Sequence, residues 1–121
     1  MVKISVDEAY AFDILSIFEV KTLKCSEKKQ SISKHAYELL KNELVDEIGR
    51  SKVEKILESE EYMKLINANE IVFNLIDEIR VEKNNSVANK IDDSNMERFS
   101  CKKKLQDKFF NGKLLEIKTY D

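Results

Sequence analysis

The sequence predicts a mainly α-helical fold, a bundle of four or five helices in one domain spanning residues 1–121, and three observations carry that expectation. There is no proline among 121 residues, and the only glycines are Gly49 and Gly112. Proline removes a backbone donor and clashes one turn back, and glycine weakens a helix through backbone entropy, so few positions here oblige a helix to stop. Apolar residues recur at helical spacing, and 42% apolar with 36% charged residues is the balance of helices that bury one face and wet the other.

The elements follow in order. Val2, Ile4 and Val6 alternate with polar residues and predict a short strand. Ser5 and Glu8 have capping-box spacing before a first helix in which Ala11, Ile14, Leu15 and Phe18 share a face widened by Tyr10, Phe12, Ile17, Val20 and Leu23. The polar segment Cys25 to Ser33 reads as a loop. Ala36, Tyr37, Leu40, Leu44 and Ile48 mark a second helix ending at Gly49. Ser51 and Glu54 have capping-box spacing for a short helix carrying Val53, Ile56 and Leu57, and Ser59 with Glu60 and Glu61 suits the start of the next. There Tyr62, Leu65, Asn69, Val72, Ile76 and Ile79 step by three and four residues, a coiled-coil seam with one polar member, broadened by Ile66 and Phe73. Glu82 to Asn95 reads as an exposed connection. Ser94 and Glu97 then open a last helix with Met96, Phe99, Leu105, Phe109 and Phe110, and Gly112 suits its C-terminal cap. Leu115 to Tyr120 alternates as a strand, expected to pair with Val2 to Val6 in a small two-stranded sheet.

Composition narrows the function. Glycine-rich phosphate loops and nucleophile elbows need glycine that this chain lacks. Cys25, Cys101 and His35 cannot supply the four ligands of a structural zinc site, and no cofactor motif is present, so neither a metal nor a cofactor is expected. The net charge of −2 provides no global field toward nucleic acid or an anionic membrane. Asp7, Glu8 and Asp13 interrupt the first apolar stretch, so it does not read as a signal peptide, and no run approaches a membrane span. The expectation is a soluble cytoplasmic protein with reduced thiols, its cysteines serving as small apolar fillers.

Three constellations bear on chemistry. Glu43 with Asp46 and Glu47, and Glu54 with Glu58 and Glu61, have the one-turn spacing of carboxylates that hold Mg²⁺ in all-α nucleotide hydrolases, although solvated helix faces produce the same pattern. Arg98, Lys102, Lys103, Lys104 and Lys108 make the last helix basic and raise nucleic-acid binding as an alternative. The surplus of three positive charges over residues 96–121 is modest, however, against a deficit of six over residues 38–78 that it can face. The third is a polar cluster. Asn69, Asp77 and Arg80 share a face with Phe73, while Asn95, Arg98 and Lys102 share a face of the last helix. Where those faces meet they make a buried ion-pair network or a small anion pocket, and the network is favoured because no nucleophile or general base accompanies them.

Three stretches resemble an uncharacterised family of short bacterial and phage proteins, sometimes found alongside glycosyltransferases. They are Asp13-Ile14-Leu15-Ser16-Ile17-Phe18-Glu19-Val20-Lys21, then Tyr62 through Asn69 to Asp77-Glu78-Ile79-Arg80, then Asn95 and Arg98 to Lys102 with Glu116, Lys118 and Tyr120. This chain departs from that pattern by extra residues before Asp13, by Ile14 in place of a lysine and by Phe73 in place of a tryptophan. The resemblance implies a helical fold and carries no catalytic residues. The functional expectation is therefore a non-enzymatic interaction or structural module that self-associates into a homo-oligomer, with the seam helix as the leading interface.

Overall fold

The computed structural model describes residues 2, 4–82 and 85–111, with side chains outside 79–88. Five helices run in chain order: α1 Glu8–Lys24, α2 Glu27–Ile48, α3 Arg50–Leu57, α4 Glu60–Glu82 and α5 Asn85–Phe110. No helix is long and apolar enough to cross a membrane among the described residues.

Helix α1 is the centre of the bundle, in contact with α2, α4 and α5, while α4 and α5 pack along each other and α3 bridges α2 to α4. Its residues explain the position. Ala9, Phe12, Leu15 and Val20 are buried together with Asp13 and Ser16, so burial extends round more than one face of the helix. The core joins Ala9, Phe12 and Leu15 to Leu44 of α2, Val53 and Ile56 of α3, Tyr62, Leu65 and Ala68 of α4, and Cys101 and Leu105 of α5. The Phe12 ring meets Tyr62 edge-on, with centroids 6.4 Å apart, and lies 6.3 Å from Phe110. Full burial of side chains such as Phe12, Leu15, Ile56, Leu65 and Leu105 stabilises the fold by about 1.5–3 kcal/mol each before entropy is counted. The α4 seam belongs to this core: Tyr62, Leu65, Asn69 and Val72 are buried within one chain, and Ile76 is the first described member to emerge, 41% exposed.

Several local expectations are corrected. The predicted Cys25–Ser33 loop shrinks to Cys25 and Ser26, because α2 starts at Glu27. Most of the expected connection before Asn95 is helix, because α5 starts at Asn85. Both segments are polar but contain neither proline nor glycine, so adjoining helices propagate through them. The capping boxes at Ser5, Ser51 and Ser94 do not form the helix starts: Asp7 and Gly49 occupy the cap positions of α1 and α3, and Ser94 lies inside α5. Ser59 does cap, since its Oγ accepts the Tyr62 N–H at 3.2 Å. Gly49 ends α2 and begins α3 with φ +92°, a conformation that glycine adopts without a Cβ penalty. Gly112 lies outside the described residues, where Asn111, with φ 50°, occupies the left-handed position after α5. The expected sheet is not supported. Residues 4–7 form no strand, Ile4 stays 75% exposed, and Leu115 to Tyr120 lies outside the described residues. A lone pair of short strands has little intrinsic stability unless it packs on the helices.

Candidate functional site

Asp13 is the polar centre of the bundle, 1% exposed and one helical turn from the wholly buried Ser16. A carboxylate so placed must be paired and hydrogen-bonded, because desolvating it alone would cost several kcal/mol. Helix α4 supplies Asn69, whose Nδ2 donates to Asp13 Oδ1 at 2.9 Å and to Ser16 Oγ at 2.6 Å. Ser16 Oγ in turn donates to the Asp13 backbone carbonyl at 2.6 Å, which fixes its rotamer as an acceptor for Asn69. Helix α5 supplies the cations. Arg98 donates from Nη2 to Asp13 Oδ2 at 2.9 Å and from Nε to Oδ1 at 3.2 Å, a two-pronged grip on both carboxylate oxygens. Lys102 Nζ lies 3.7 Å from Oδ2, with its side chain 4% exposed, and also sits 5.6 Å from the Tyr10 ring centroid and 5.9 Å from that of Phe99. Asn95 Oδ1 accepts from Arg98 Nη1 at 3.3 Å and steadies the guanidinium from one turn away.

The structure thus brings Asn69, Asn95, Arg98 and Lys102 together. Asp77 does not join them. It is exposed, and lines a separate groove with Lys21, Lys29, Ile32 and Phe73, because two turns of α4 carry it past the end of the network. The Arg80 side chain lies outside the described residues. Asp13 and Ser16 are the members that helix-face reasoning left out. Their signal was present: two polar residues three apart inside the otherwise apolar stretch from Ala9 to Phe18 are either solvated or buried with partners.

Two further polar links flank the network. The Tyr62 hydroxyl donates to Glu19 Oε2 at 2.8 Å, tying α4 to α1. Burial and the Glu19 carboxylate push that phenol well above its ordinary range. Gln106 of α5 accepts the Ala9 backbone N–H on Oε1 at 2.9 Å and donates from Nε2 to Glu8 Oε2 at 2.7 Å. No buried side-chain nitrogen or oxygen is left without a partner among the described residues.

The other sequence candidates disperse. Among the described residues, no three His, Cys, Asp or Glu side chains gather closely enough to hold a metal ion. Glu61 is held instead by the Lys108 ammonium, which lowers its carboxyl below the usual range. The Lys102–Lys104 run is split by the helix, with Lys102 turned into the core while Lys103 and Lys104 are exposed. Cys101 is 4% exposed, and burial followed by the Glu97 charge pushes its thiol up, away from the thiolate a nucleophile needs. Comparison with family models, curated proteins and solved structures finds no match to this chain.

Proposed function

We propose that this chain is a non-enzymatic helical module that works through its surfaces, with the Asp13 network as the internal joint that holds those surfaces in register. The observation that carries the reading is the saturation of the network. Arg98 and Lys102 form the kind of cationic pair that recognises an external anion, but the chain supplies the anion itself in Asp13, gripped on both oxygens and also bonded to Asn69. Among the described residues, no buried acid, base or nucleophile of this centre is left unpaired. Within the network, Asp13 and Ser16 of α1 meet Asn69 of α4 and Arg98 and Lys102 of α5, which suits a joint that sets how those three helices pack. Self-association is the expected use of the surfaces. With Tyr62 to Val72 committed to the core of one chain, the interface is sought on other faces.

The test compares stability with binding. Asp13→Ala removes the carboxylate shared by the half-buried Arg98 and the buried Lys102 and should cost about 3–5 kcal/mol in urea denaturation. The wild-type protein should show no saturable uptake of inorganic phosphate or pyrophosphate, with or without Mg²⁺, by calorimetry. An Asp13→Ala variant of wild-type stability, or saturable phosphate binding lost on Arg98→Gln, would turn the joint into a ligand site and overturn the reading.

A further inference from the structure

Helix α2 is the least covered long helix of the bundle, with only Ser33 and Leu44 buried among its 22 residues. About a third of a turn round the helix from that buried side, Ile32 is 65% and Leu39 is 52% exposed, seven residues apart and hence on one stripe. Lys28 lies one turn before Ile32 and Glu43 one turn after Leu39; both are exposed, and neither enters an ion pair among the described residues. The helix is also polarised. Residues 27–35 carry three lysines against one glutamate, and residues 38–48 carry four carboxylates against one lysine.

We infer that the α2 stripe is a homodimer interface, in which a second copy of α2 packs antiparallel across a two-fold axis between His35 and Ala36. This rests on the reading of the chain as a self-associating module and names the surface. The register follows from the residues. An antiparallel copy centred there sets Ile32 against the partner's Leu39 and Lys28 against the partner's Glu43, and the symmetry repeats each pair. A parallel copy would set lysines on lysines and carboxylates on carboxylates, which disfavours it. Ile32 also borders a groove of about 450 Å³ in which Cys25, Phe73 and Ile76 sit among Lys21, Lys29 and Asp77, so apolar surface extends beyond the stripe on that side within a charged rim. The apolar contact is still small for a stable dimer, so the association is weak and concentration-dependent.

Sedimentation velocity from micromolar to near-millimolar protein tests this. Wild type should pass from monomer to dimer. Ile32→Lys and Leu39→Lys should stay monomeric with unchanged circular dichroism, since both positions are exposed in the monomer. Lys28→Glu and Glu43→Lys should each raise the dissociation constant by about tenfold, because the axis doubles every change. An equimolar mixture of those two variants should recover wild-type affinity as a heterodimer. A wild type that is monomeric throughout would overturn self-association and this interface together. A dimer indifferent to Ile32→Lys would leave self-association standing and overturn the α2 surface, and failure of the mixture to recover would overturn the antiparallel register.

Discussion

At the scale of the residue, burial decides what each polar group is able to do, and Tyr62 shows it in a measurable way. Its ring packs on Phe12 and its hydroxyl reaches Glu19, and the phenol is held protonated well above the ordinary tyrosine range. Tyr37, close to the same carboxylate, is pushed up to about 12 by burial and then by Glu19 and Glu38. The sign follows directly. Above pH ~10 the unfolded chain releases phenolic protons that the folded chain keeps, so the stability these groups contribute is complete below that pH and declines as pH rises through the folded values. Tyr62 should contribute a slope of about 1.4 kcal/mol per pH unit there. Urea melts at stepped alkaline pH should show Tyr62→Phe to be less stable at neutrality by about 1.5–3 kcal/mol, for its lost bond to a carboxylate, and shallower in its alkaline decline. An identical slope in the variant would remove Tyr62 as the cause. The same residue-scale logic explains which part of the candidate site was legible in the sequence. Asn69, Asn95, Arg98 and Lys102 could be placed on two helix faces by spacing alone. Their common acceptor could not, since Asp13 lies 56 residues before Asn69 and 85 before Arg98.

At the scale of the element, helix existence was readable and helix ends were not. Apolar periodicity marks the interior of every helix, but termini depend on where the exposed N–H groups of the first turn find acceptors. Ser59 solves this locally, as its spacing predicted. Helix α1 solves it across the molecule, with the Ala9 N–H bonded to the Gln106 side chain 97 residues away. Gln106→Leu should therefore cost about 1–3 kcal/mol by leaving a buried donor unpaired, and should speed hydrogen exchange at the Ala9 amide ahead of the rest of α1. Ser5→Ala, at the cap position the sequence pattern favoured, should leave both readouts unchanged. Helices α2 and α5 start earlier than polar composition implied for the complementary reason: without proline or glycine, nothing in residues 27–33 or 85–94 ends a helix that its neighbour already supports.

At the scale of the molecule, α1 is the axle and α2 the outlier. Helices α1, α4 and α5 share the Asp13 network, whereas α2 stands outside it: it buries Leu44, lays the half-buried Tyr37, Leu40, Val45 and Ile48 on the core, and contacts α1 and α3. Local stability should follow that division. Hydrogen exchange should be slowest along residues 61–72 of α4 and at least about tenfold faster along residues 27–36 of α2 under native conditions, because few buried contacts hold the latter. Equal protection in the two segments would mean that α2 is held by more than the contacts within one chain, and a rise in α2 protection with protein concentration would identify the second copy as the source.

What the sequence by itself determined is the helical class and the polarity of each helix face, because both follow from local quantities: breaker content, the 3.6-residue period and the placement of charge. Only the tertiary structure decided the use of those faces. It turned the α4 seam inward against α1, sent Lys102 inside while Lys103 stayed outside, and made Asp13 the acceptor that two other helices serve. The physical reason is that a buried charge is tolerable only where distant parts of the chain bring its partners within hydrogen-bond reach, and no local pattern records that meeting.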